Sequence, residues 1–473
     1  MPLQKNQVLT LRVERLSSDG SGVAHSPDGE AVFIPGAAPG DEARVRIVKD
    51  CKRYAFGILD EVLTPSPDRI PVDCAVAGPC GGCSLRHLDY AAELRAKQEN
   101  VADAFARIGG LDVPVLPIVG SPEVNRYRNK VQFPVGVDKS GKPCIGFYAG
   151  RTHRIVPCPD CRLQPGVLNE IGNALCAFFA EKGIQPYSEE TGRGLVRHIF
   201  LRRGAHSGQI MVCLVCTRAK LPSAEELCTR LKAQFAEITT ILLNVNAKNT
   251  NVILGTETHT LYGPGYIEDT LCGVPVQLGP LSFYQVNTLA AEQLYGIAAQ
   301  YAQLTPDDLL LDLYCGMGTI GLSMAAHCRE LIGVEIVPEA IESAKANAAR
   351  MGADVAAKSR FFCADAGQAA TRLAAEGLHP DIVMLDPPRK GCDEATLSAV
   401  VRMSPRRVVY VSCNPATAAR DAAWLEQNGY HAEKVQPVDL FPRTRHCEAV
   451  LLLTKLNVER HIEVDVSMDE LDV

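Results

Sequence analysis

The chain has 473 residues and a mass of 51.1 kDa, enough for about two to four domains, which excludes a peptide hormone. Hydrophobic residues make up 47% and charged residues 22%, so the composition is that of a folded globular protein and not of a disordered one. The sequence shows neither a basic-then-apolar signal segment nor an apolar run of about eighteen residues, so we expect a cytoplasmic protein with no membrane partner. We also expect a monomer.

The net charge of −7 is unevenly distributed along the chain. Residues 457–473 form an acidic tail with six acidic residues against one arginine. Residues 126–154 contain seven basic residues against Asp138, and four further arginines lie between residues 193 and 203. These runs are typical either of a solvated charged face or of a surface that binds a phosphate backbone.

The N-terminal region predicts a small β-barrel. Residues 8–62 contain short runs of alternating apolar and polar residues, separated by turn-forming segments such as IPGAAPGD. The proline-rich segment TPSPDRIPVD follows as an exit linker. We therefore predict a first domain at residues 1–66 with an OB-like barrel.

A mixed α+β region follows, which we predict as a central domain at residues 67–282. It begins with a tight cysteine and glycine loop at residues 74–83, and residues 88–110 then show helical periodicity that ends at a glycine pair. Further strand-like and helix-like segments continue to residue 282, but their topology does not follow from the sequence.

Eighteen cysteines are scattered through the chain, and most lie in apolar patterns where Cys packs as a small hydrophobic residue. The spacing Cys80-x2-Cys83 with Cys158-x2-Cys161 suits zinc, and four thiolates also suit an iron–sulfur cluster. Spacing alone leaves both metals open. Cys213 and Cys216 lie in a strand-like run where residues three apart face opposite sides, which argues against a metal role.

From residue 283 to 456, apolar strand runs alternate with helical segments, which predicts a doubly wound parallel sheet. Gly316 and Gly318 fall in the first strand-to-helix turn, where small residues let a ligand approach the backbone. Glu335 ends the second strand, where a carboxylate can accept ribose hydroxyls, and Asp365 ends the third. Strand-end acids without a phosphate-binding motif favour S-adenosylmethionine over a dinucleotide, although each acid could also simply cap a helix.

Two motifs at the ends of later strands indicate the chemistry. Asp386-Pro-Pro-Arg389 closes the fourth strand, and Ser412-Cys413-Asn-Pro closes the fifth. A thiolate at Cys413 can attack carbon 6 of a pyrimidine, which activates carbon 5 for methylation. A base must then remove the carbon 5 proton; Glu448 is the candidate and His446 the alternative. At the position of Arg389, adenine methyltransferases use an aromatic residue, so Arg389 argues against adenine as the substrate. Cytosine remains a possible substrate.

Together, these motifs resemble the RNA (uracil-5-)-methyltransferases. The segments that carry the resemblance are Phe283-Tyr-Gln-Val-Asn287, Asp312-Leu-Tyr-Cys-Gly-Met-Gly318, Asp386-Pro-Pro-Arg389, Ser412-Cys-Asn-Pro415 and His446-Cys-Glu448. The resemblance implies a C-terminal Rossmann-like methyltransferase domain behind a TRAM barrel. It implies that Cys413 is the nucleophile, that Glu448 is the base and that Phe283 stacks on the flipped uracil. It also implies that four residues contact the donor: Gln285, Tyr314, Glu335 and Asp386. Asp365 is a looser match to a residue that contacts the donor.

The same resemblance implies a cofactor and a substrate. It assigns a 4Fe–4S cluster to Cys74, Cys80, Cys83 and Cys161. Members that combine such a loop with a TRAM barrel act mainly on ribosomal RNA, so the resemblance favours 23S ribosomal RNA, with transfer RNA as the alternative. An RNA-binding cluster protein without methyltransferase activity is a third hypothesis, which the intact Cys413 and Glu448 disfavour.

Overall fold

The N-terminal strands close into a barrel because apolar side chains alternate along them. The computed structural model describes residues 3–150, 152–248 and 250–456. The barrel strands are β1 (Val8–Leu16), β2 (Ser21–His25), β3 (Ala31–Pro35), β4 (Glu42–Asp50) and β5 (Tyr54–Thr64), in the order β1-β2-β3-β5-β4. On β3, Val32 and Ile34 are fully buried, whereas Phe33 between them points outward. The predicted barrel is confirmed. The predicted acidic tail lies outside the described residues.

A helical segment connects the barrel to the rest of the chain. After the short helix α1 (Ala77–Cys80), helix α2 (Tyr90–Asp103) begins at Asp89, whose side chain accepts a hydrogen bond from the Ala92 N–H. A π-helix (Ala104–Gly109) continues α2 and ends at Gly110, whose φ of 64° a glycine adopts readily. The predicted helix stop at the glycine pair is therefore confirmed.

The central region is a seven-stranded sheet covered on one face by helices. Its elements are β6 (Lys130–Val137), β7 (Pro143–Tyr148), β8 (Ile155–Pro157), α3 (Gly166–Lys182), β9 (Val196–Arg203), β10 (Ile210–Cys216), α4 (Ala224–Gln234), β11 (Ile238–Val245) and β12 (Glu257–Tyr262). The strand order is β12-β11-β10-β9-β6-β7-β8. On β10, Cys213 and Cys216 belong to cores on opposite faces, as predicted.

A hairpin, β13 (Ile267–Leu271) and β14 (Val274–Leu278), precedes the C-terminal sheet. Its apolar residues join the core of that sheet, together with Tyr284. The sequence-based domain boundaries, including the one at residues 282 and 283, stay predictions.

The C-terminal half is the expected doubly wound α/β sheet. Its elements are α5 (Thr288–Ala302), β15 (Leu309–Leu313), α6 (Thr319–Met324), a 3₁₀ turn (Ala325–His327), β16 (Glu330–Glu335), α7 (Pro338–Arg350), α8 (Ala353–Lys358), β17 (Ser359–Cys363), α9 (Ala366–Ala375), β18 (Ile382–Leu385), α10 (Glu394–Met403), β19 (Arg407–Ser412), α11 (Pro415–Gln427), β20 (Tyr430–Val438) and β21 (Glu448–Lys455). The order is β17-β16-β15-β18-β19-β21-β20, and β21 runs antiparallel to both neighbours. No helix among the described residues combines the length and apolar character needed to cross a membrane.

Candidate active site

Strand direction brings the predicted catalytic residues to one edge of the C-terminal sheet. Asp386 and Cys413 directly follow the parallel strands β18 and β19, whereas Glu448 begins the antiparallel strand β21. Ser412 pairs with Ala449 in the β19–β21 ladder. Cys413 and Glu448, the next residues outward on the two strands, therefore face each other at the edge where ligands bind in such sheets.

The first strand-to-helix turn, after β15, lies beside this edge and leaves open space above Gly316. Glu335 accepts hydrogen bonds from the Gly316 N–H at 3.2 Å and from the Val337 N–H at 2.9 Å. Gly316 has a φ of 54°, and a methyl group placed on it would meet nothing within 4 Å, so space is open above the turn. Glu335 is thus fixed at the carboxyl end of β16, next to this turn.

Two of the predicted donor contacts also support the fold itself. The Tyr314 hydroxyl lies 3.3 Å from Thr396 Oγ1 on α10. Asp365 caps α9, because its Oδ1 accepts a hydrogen bond from the Gln368 N–H. The capping role that the sequence left open therefore occupies one oxygen of Asp365.

Tyr295, a polar residue that the sequence analysis did not single out, lies between the turn after β15 and Asp386. Tyr295 on α5 is buried, its hydroxyl lies 3.3 Å from Thr319 Oγ1, and it is hydrogen-bonded to Gln285. Burial, together with the nearby Asp386 carboxylate, raises the Tyr295 pKa. In the sequence, Tyr295 follows the apolar period of a helix and is indistinguishable from a core residue.

Burial dominates the ionisation of the predicted catalytic groups. It raises the Glu448 pKa to about 8, with a further contribution from Asp386, and it raises the Asp386 pKa to about 7. Burial, Glu448 and Asp386 also raise the Cys413 pKa above its ordinary value, whereas Arg389 lowers it by its charge and a hydrogen bond. In the free protein, Cys413 is therefore mainly a thiol, and Arg389 is the neighbour that favours the thiolate.

Arg389 is a functional candidate to which the sequence analysis assigned no role in the site. Asn414 donates from Nδ2 to the Arg389 carbonyl at 3.0 Å and caps α11 by accepting from the Ala416 N–H. The turn after β19 and the turn after β18 therefore brace each other. The Asp-Pro-Pro-Arg motif was the available signal for this residue.

A cleft of about 830 Å³ opens above Cys413. The side chains that line it come from three parts of the chain. The barrel provides Arg15, His25 and Phe33, and the π-helix provides Arg107 and Ile108. The loops after β18 and before β21 provide Arg389, Arg445 and His446. Phe33 also contacts Tyr54 and Phe56 on the outside of the barrel, with ring centroids 5.7 and 5.9 Å apart. The cleft thus combines cationic and aromatic side chains, the two groups that bind single-stranded nucleic acid.

Phe283 lies exposed on the loop that carries Gln285. Its side chain is 72% exposed, so its ring is free to contact a ligand. Buried partners anchor the loop on either side: Arg202 donates to the Gly279 and Ser282 carbonyls, both at 2.7 Å, and Asn129 donates to the Gln285 carbonyl at 2.8 Å.

Two residues of the basic run at residues 126–154 have partners or neighbours within the protein itself. Arg126 donates to the Cys161 and Gln164 carbonyls and pairs with Asp160 at 2.7 Å, so it supports the segment around Cys161. Burial, assisted by Arg202 and Arg128, lowers the Lys130 pKa to about 8. The arginines that line the cleft come instead from the barrel, from the π-helix and from the loops after β18 and before β21.

The four predicted cluster ligands line a second cavity, of about 310 Å³, together with Cys158, Arg86, Arg128 and Lys130. Cys158 and Cys161 are hydrogen-bonded through their sulfur atoms, which together with burial raises the Cys158 pKa. Among the described residues, however, no three ligand-type side chains converge closely enough to form a metal-binding group. The four cysteines therefore share one cavity without converging as a set of metal ligands, and the 4Fe–4S cluster stays a prediction.

Sequence comparisons match the whole architecture. Residues 206–456 match the profile of the family described as tRNA (Uracil-5-)-methyltransferase, and residues 2–59 match that of the TRAM domain. An uncharacterized RNA methyltransferase of Halalkalibacterium halodurans is 43% identical over 457 residues, which cover 96% of this chain and 99% of the relative. A similarly described protein of Listeria innocua is 42% identical, with coverage of 96% and 98%.

A solved structure also matches nearly the full length. The tRNA (uracil-54, C5)-methyltransferase of Pyrococcus abyssi, solved in complex with S-adenosyl-L-homocysteine, aligns with a TM-score of 0.75 and 26% identity. The alignment covers 94% of this chain and all of that chain.

The charge environment of Cys413 makes its reactivity dependent on Arg389. We expect Arg389→Gln to slow alkylation of Cys413 by iodoacetamide at pH 7, because each unit by which the thiol pKa rises reduces the thiolate fraction about tenfold. The measurement is mass spectrometry of the peptide that contains Cys413, over pH 6–10. The matched control is Lys390→Gln at the adjacent exposed cation. Equal alkylation rates in both variants and the wild type would contradict the assigned role of Arg389.

Proposed function

The chain belongs to the tRNA (uracil-5-)-methyltransferase family, and we propose that it methylates carbon 5 of a uridine in 23S ribosomal RNA through a covalent Cys413–uracil adduct. The observation that carries the proposal is the pairing of Ser412 with Ala449, which sets Cys413 opposite Glu448 at the ligand-binding edge. A thiol opposite a buried carboxyl is the pair of groups that addition to carbon 6 and proton removal from carbon 5 require.

The proposed reaction has three steps. The Cys413 thiolate adds to carbon 6 of uracil, and the electron pair of the 5,6 double bond makes carbon 5 nucleophilic. Carbon 5 then takes the methyl group from the sulfonium of S-adenosylmethionine. Finally, Glu448 removes the proton from carbon 5, the double bond forms again and the thiolate leaves. The raised pKa of Glu448, about 8, makes it a stronger base once it is ionised.

The donor pocket is assigned to the turn beside this edge. Glu335, held by the Gly316 and Val337 N–H groups, would accept the ribose hydroxyls. The oxygen of Asp365 that does not cap α9 would meet the adenine edge, while Gln285, Tyr314 and Asp386 complete the pocket. Asp386 and Glu448 also provide negative charge for the sulfonium, and a nearby cation lowers the pKa of a carboxyl group. Donor binding therefore helps to ionise Glu448.

The RNA is assigned to the cleft above Cys413. The exposed Phe283 ring would stack on the flipped uracil, as an extruded base requires an apolar surface. The cleft arginines would contact the phosphates of the neighbouring nucleotides, and the barrel aromatics Phe33, Tyr54 and Phe56 would stack on unpaired bases. This arrangement reconciles the acidic total charge with an RNA substrate.

Transfer RNA is the alternative substrate. It is favoured by the likeness to the Pyrococcus abyssi enzyme, whose substrate is uridine 54 of transfer RNA. Ribosomal RNA is favoured by the resemblance, because members of that family that combine a TRAM barrel with a cysteine loop act mainly on ribosomal RNA, and both features lie in this chain. A cytosine target shares the same thiol chemistry, and analysis of the methylated nucleoside distinguishes it from a uridine.

The substrate proposal predicts which RNA loses its modification. We expect deletion of the protein to remove 5-methyluridine from 23S ribosomal RNA and to leave the modification of transfer RNA unchanged. Nucleoside mass spectrometry of the two purified RNA classes is the measurement, and complementation with the wild type and with Cys413→Ala is the matched control. Loss from transfer RNA alone would replace the ribosomal substrate with the alternative.

The order of steps predicts opposite behaviour for the two catalytic residues. Cys413→Ala cannot form the adduct and should transfer no methyl group. The Glu448→Gln variant should still transfer the methyl group to carbon 5 of the uracil, but without proton removal the adduct should accumulate. On a denaturing gel, donor-derived label should therefore migrate in a slow protein–RNA band for Glu448→Gln only.

His446→Gln serves as the control for this experiment, because His446 lines the same cleft and burial lowers its pKa. We expect it to turn over without a stable adduct. Accumulation of adduct in this variant instead of Glu448→Gln would make His446 the base, and turnover by Cys413→Ala would rule out the covalent mechanism.

We further propose that Cys74, Cys80, Cys83 and Cys161 hold a 4Fe–4S cluster. The support is the chemistry of the donor set: the four thiols line one cavity with Arg86, Arg128 and Lys130, whose charges suit an anionic cluster. Bound there, a cluster would link the loop at residues 74–83 to the segment after β8. The same thiols suit zinc, which is the competing occupant.

Metal analysis separates the two occupants. Protein purified without oxygen should be brown and contain about four iron atoms per chain, as a cluster with four thiolate ligands requires. Cys83→Ser should lower the iron content, whereas Cys213→Ser, at a buried cysteine of the central sheet, should not. One equivalent of zinc without iron would overturn the cluster assignment.

A further inference from the structure

A buried charge network joins helix α2 to the loop before Glu448, and the reaction proposed above does not use it. The Lys97 side chain is 1% exposed. Its Nζ donates to Glu93 Oε1 at 2.7 Å, to Asp439 Oδ1 at 2.8 Å and to the Phe441 carbonyl at 3.2 Å. These bonds use all three N–H groups of the ammonium, so its burial is fully compensated.

Two further contacts of this network fix the loop at residues 439–447. Tyr90 donates from its hydroxyl to Asp439 Oδ2 at 2.9 Å, and the Arg443 N–H donates to Glu93 Oε1 at 2.7 Å. Arg443 has a φ of 69°, a left-handed conformation that residues other than glycine seldom adopt. The loop therefore holds a backbone geometry that needs outside support, and α2 provides part of it, beside Tyr127 and Asn287, which donate to the Pro442 and Leu440 carbonyls.

The loop connects the two strands that set the position of the proposed base. Val438, the last residue of β20, pairs with Glu448, the first residue of β21, so the loop closes on the rung that holds Glu448. The loop also presents Arg445 and His446 to the cleft above Cys413. Cys413, by contrast, is held by its neighbour Asn414, which caps α11. The turn after β15, which we call the donor turn, is held by Glu335.

We propose that Lys97 is a positioning residue that holds the 439–447 loop so that Glu448 can remove the carbon 5 proton. This inference rests on the proposed function. In the affected step, Glu448 takes the proton, the electron pair of the carbon 5–hydrogen bond forms the 5,6 double bond, and the carbon 6–sulfur bond breaks to release the Cys413 thiolate. Because Cys413 and the donor turn have separate supports, adduct formation and methyl transfer depend less on Lys97.

The test compares two rate constants in the full-length protein. Under single-turnover conditions with RNA and labelled S-adenosylmethionine, Lys97→Met should transfer the methyl group at close to the wild-type rate. Decay of the labelled adduct should slow by about 10- to 100-fold, the scale expected when a catalytic group is displaced by about 1 Å. Lys97→Arg, which keeps the charge, should recover part of the decay rate.

Control variants separate positioning from a general loss of structure. Lys232→Met, at an exposed lysine of α4, should leave both rates unchanged. If Lys97→Met fails to fold because two buried carboxylates lose their partner, the triple variant Glu93→Gln, Lys97→Met, Asp439→Asn removes the three charges together. Tyr90→Phe is the mildest variant, since it removes only the hydroxyl bonded to Asp439, and it should slow adduct decay to a smaller extent.

The outcomes distinguish this inference from the proposed function. A folded Lys97→Met or Tyr90→Phe variant with wild-type adduct decay would overturn the positioning role. A parallel fall of donor affinity, methyl transfer and adduct decay would also overturn it, because that is the result of a merely structural defect. If the wild type itself produced no 5-methyluridine and no adduct, the proposed function would fail instead.

Discussion

Burial of several acids at one sheet edge is the constraint on which the active site depends. Asp312, Asp386 and Glu448 all have raised pKa values, of about 8, 7 and 8, chiefly because burial disfavours their charged forms. One oxygen of Asp312 has no hydrogen-bond partner among the described residues. Such a group of acids is unfavourable in the free protein and favourable beside a cation. A bound cation would lower these pKa values, which supports the proposed sulfonium donor at this edge, and Arg389 lowers the pKa of the neighbouring Cys413 thiol.

The edge keeps this geometry because distant parts of the chain hold its loops. The segment after the π-helix pairs with β20 through Val115 and Val119, and the Lys97 network fixes the following loop. Removing one partner of a buried ion pair typically costs about 3–5 kcal/mol, because the other charge is left uncompensated. The N-terminal half of the chain is thus part of the catalytic scaffold as well as a carrier of the barrel.

The sequence predicted the elements that depend on local patterns. Alternation gave the barrel strands, and the rule that ligands bind at the carboxyl ends of parallel strands placed Glu335, Asp386 and Cys413. It could not predict partners that only the tertiary fold brings together. Tyr295 follows a helical apolar period, and Lys97 is separated from Asp439 by more than three hundred residues. Asp365 shows a second limit of the sequence analysis. It caps helix α9, and a strand-end acid that caps a helix has the same sequence pattern as one that contacts a ligand.

The loop that carries Phe283 and Gln285 depends on the central sheet in the same way. Arg202, buried on β9, donates to the Gly279 and Ser282 carbonyls, and Asn129 donates to the Gln285 carbonyl. Burial lowers the Arg202 pKa to about 10, yet the group stays charged at neutral pH, so its hydrogen bonds remain charge-assisted. The central sheet therefore fixes the loop that carries Phe283, helix α2 fixes the loop before Glu448, and the C-terminal sheet holds Cys413. Each of the three roles proposed for these residues is thus supported by a different part of the chain.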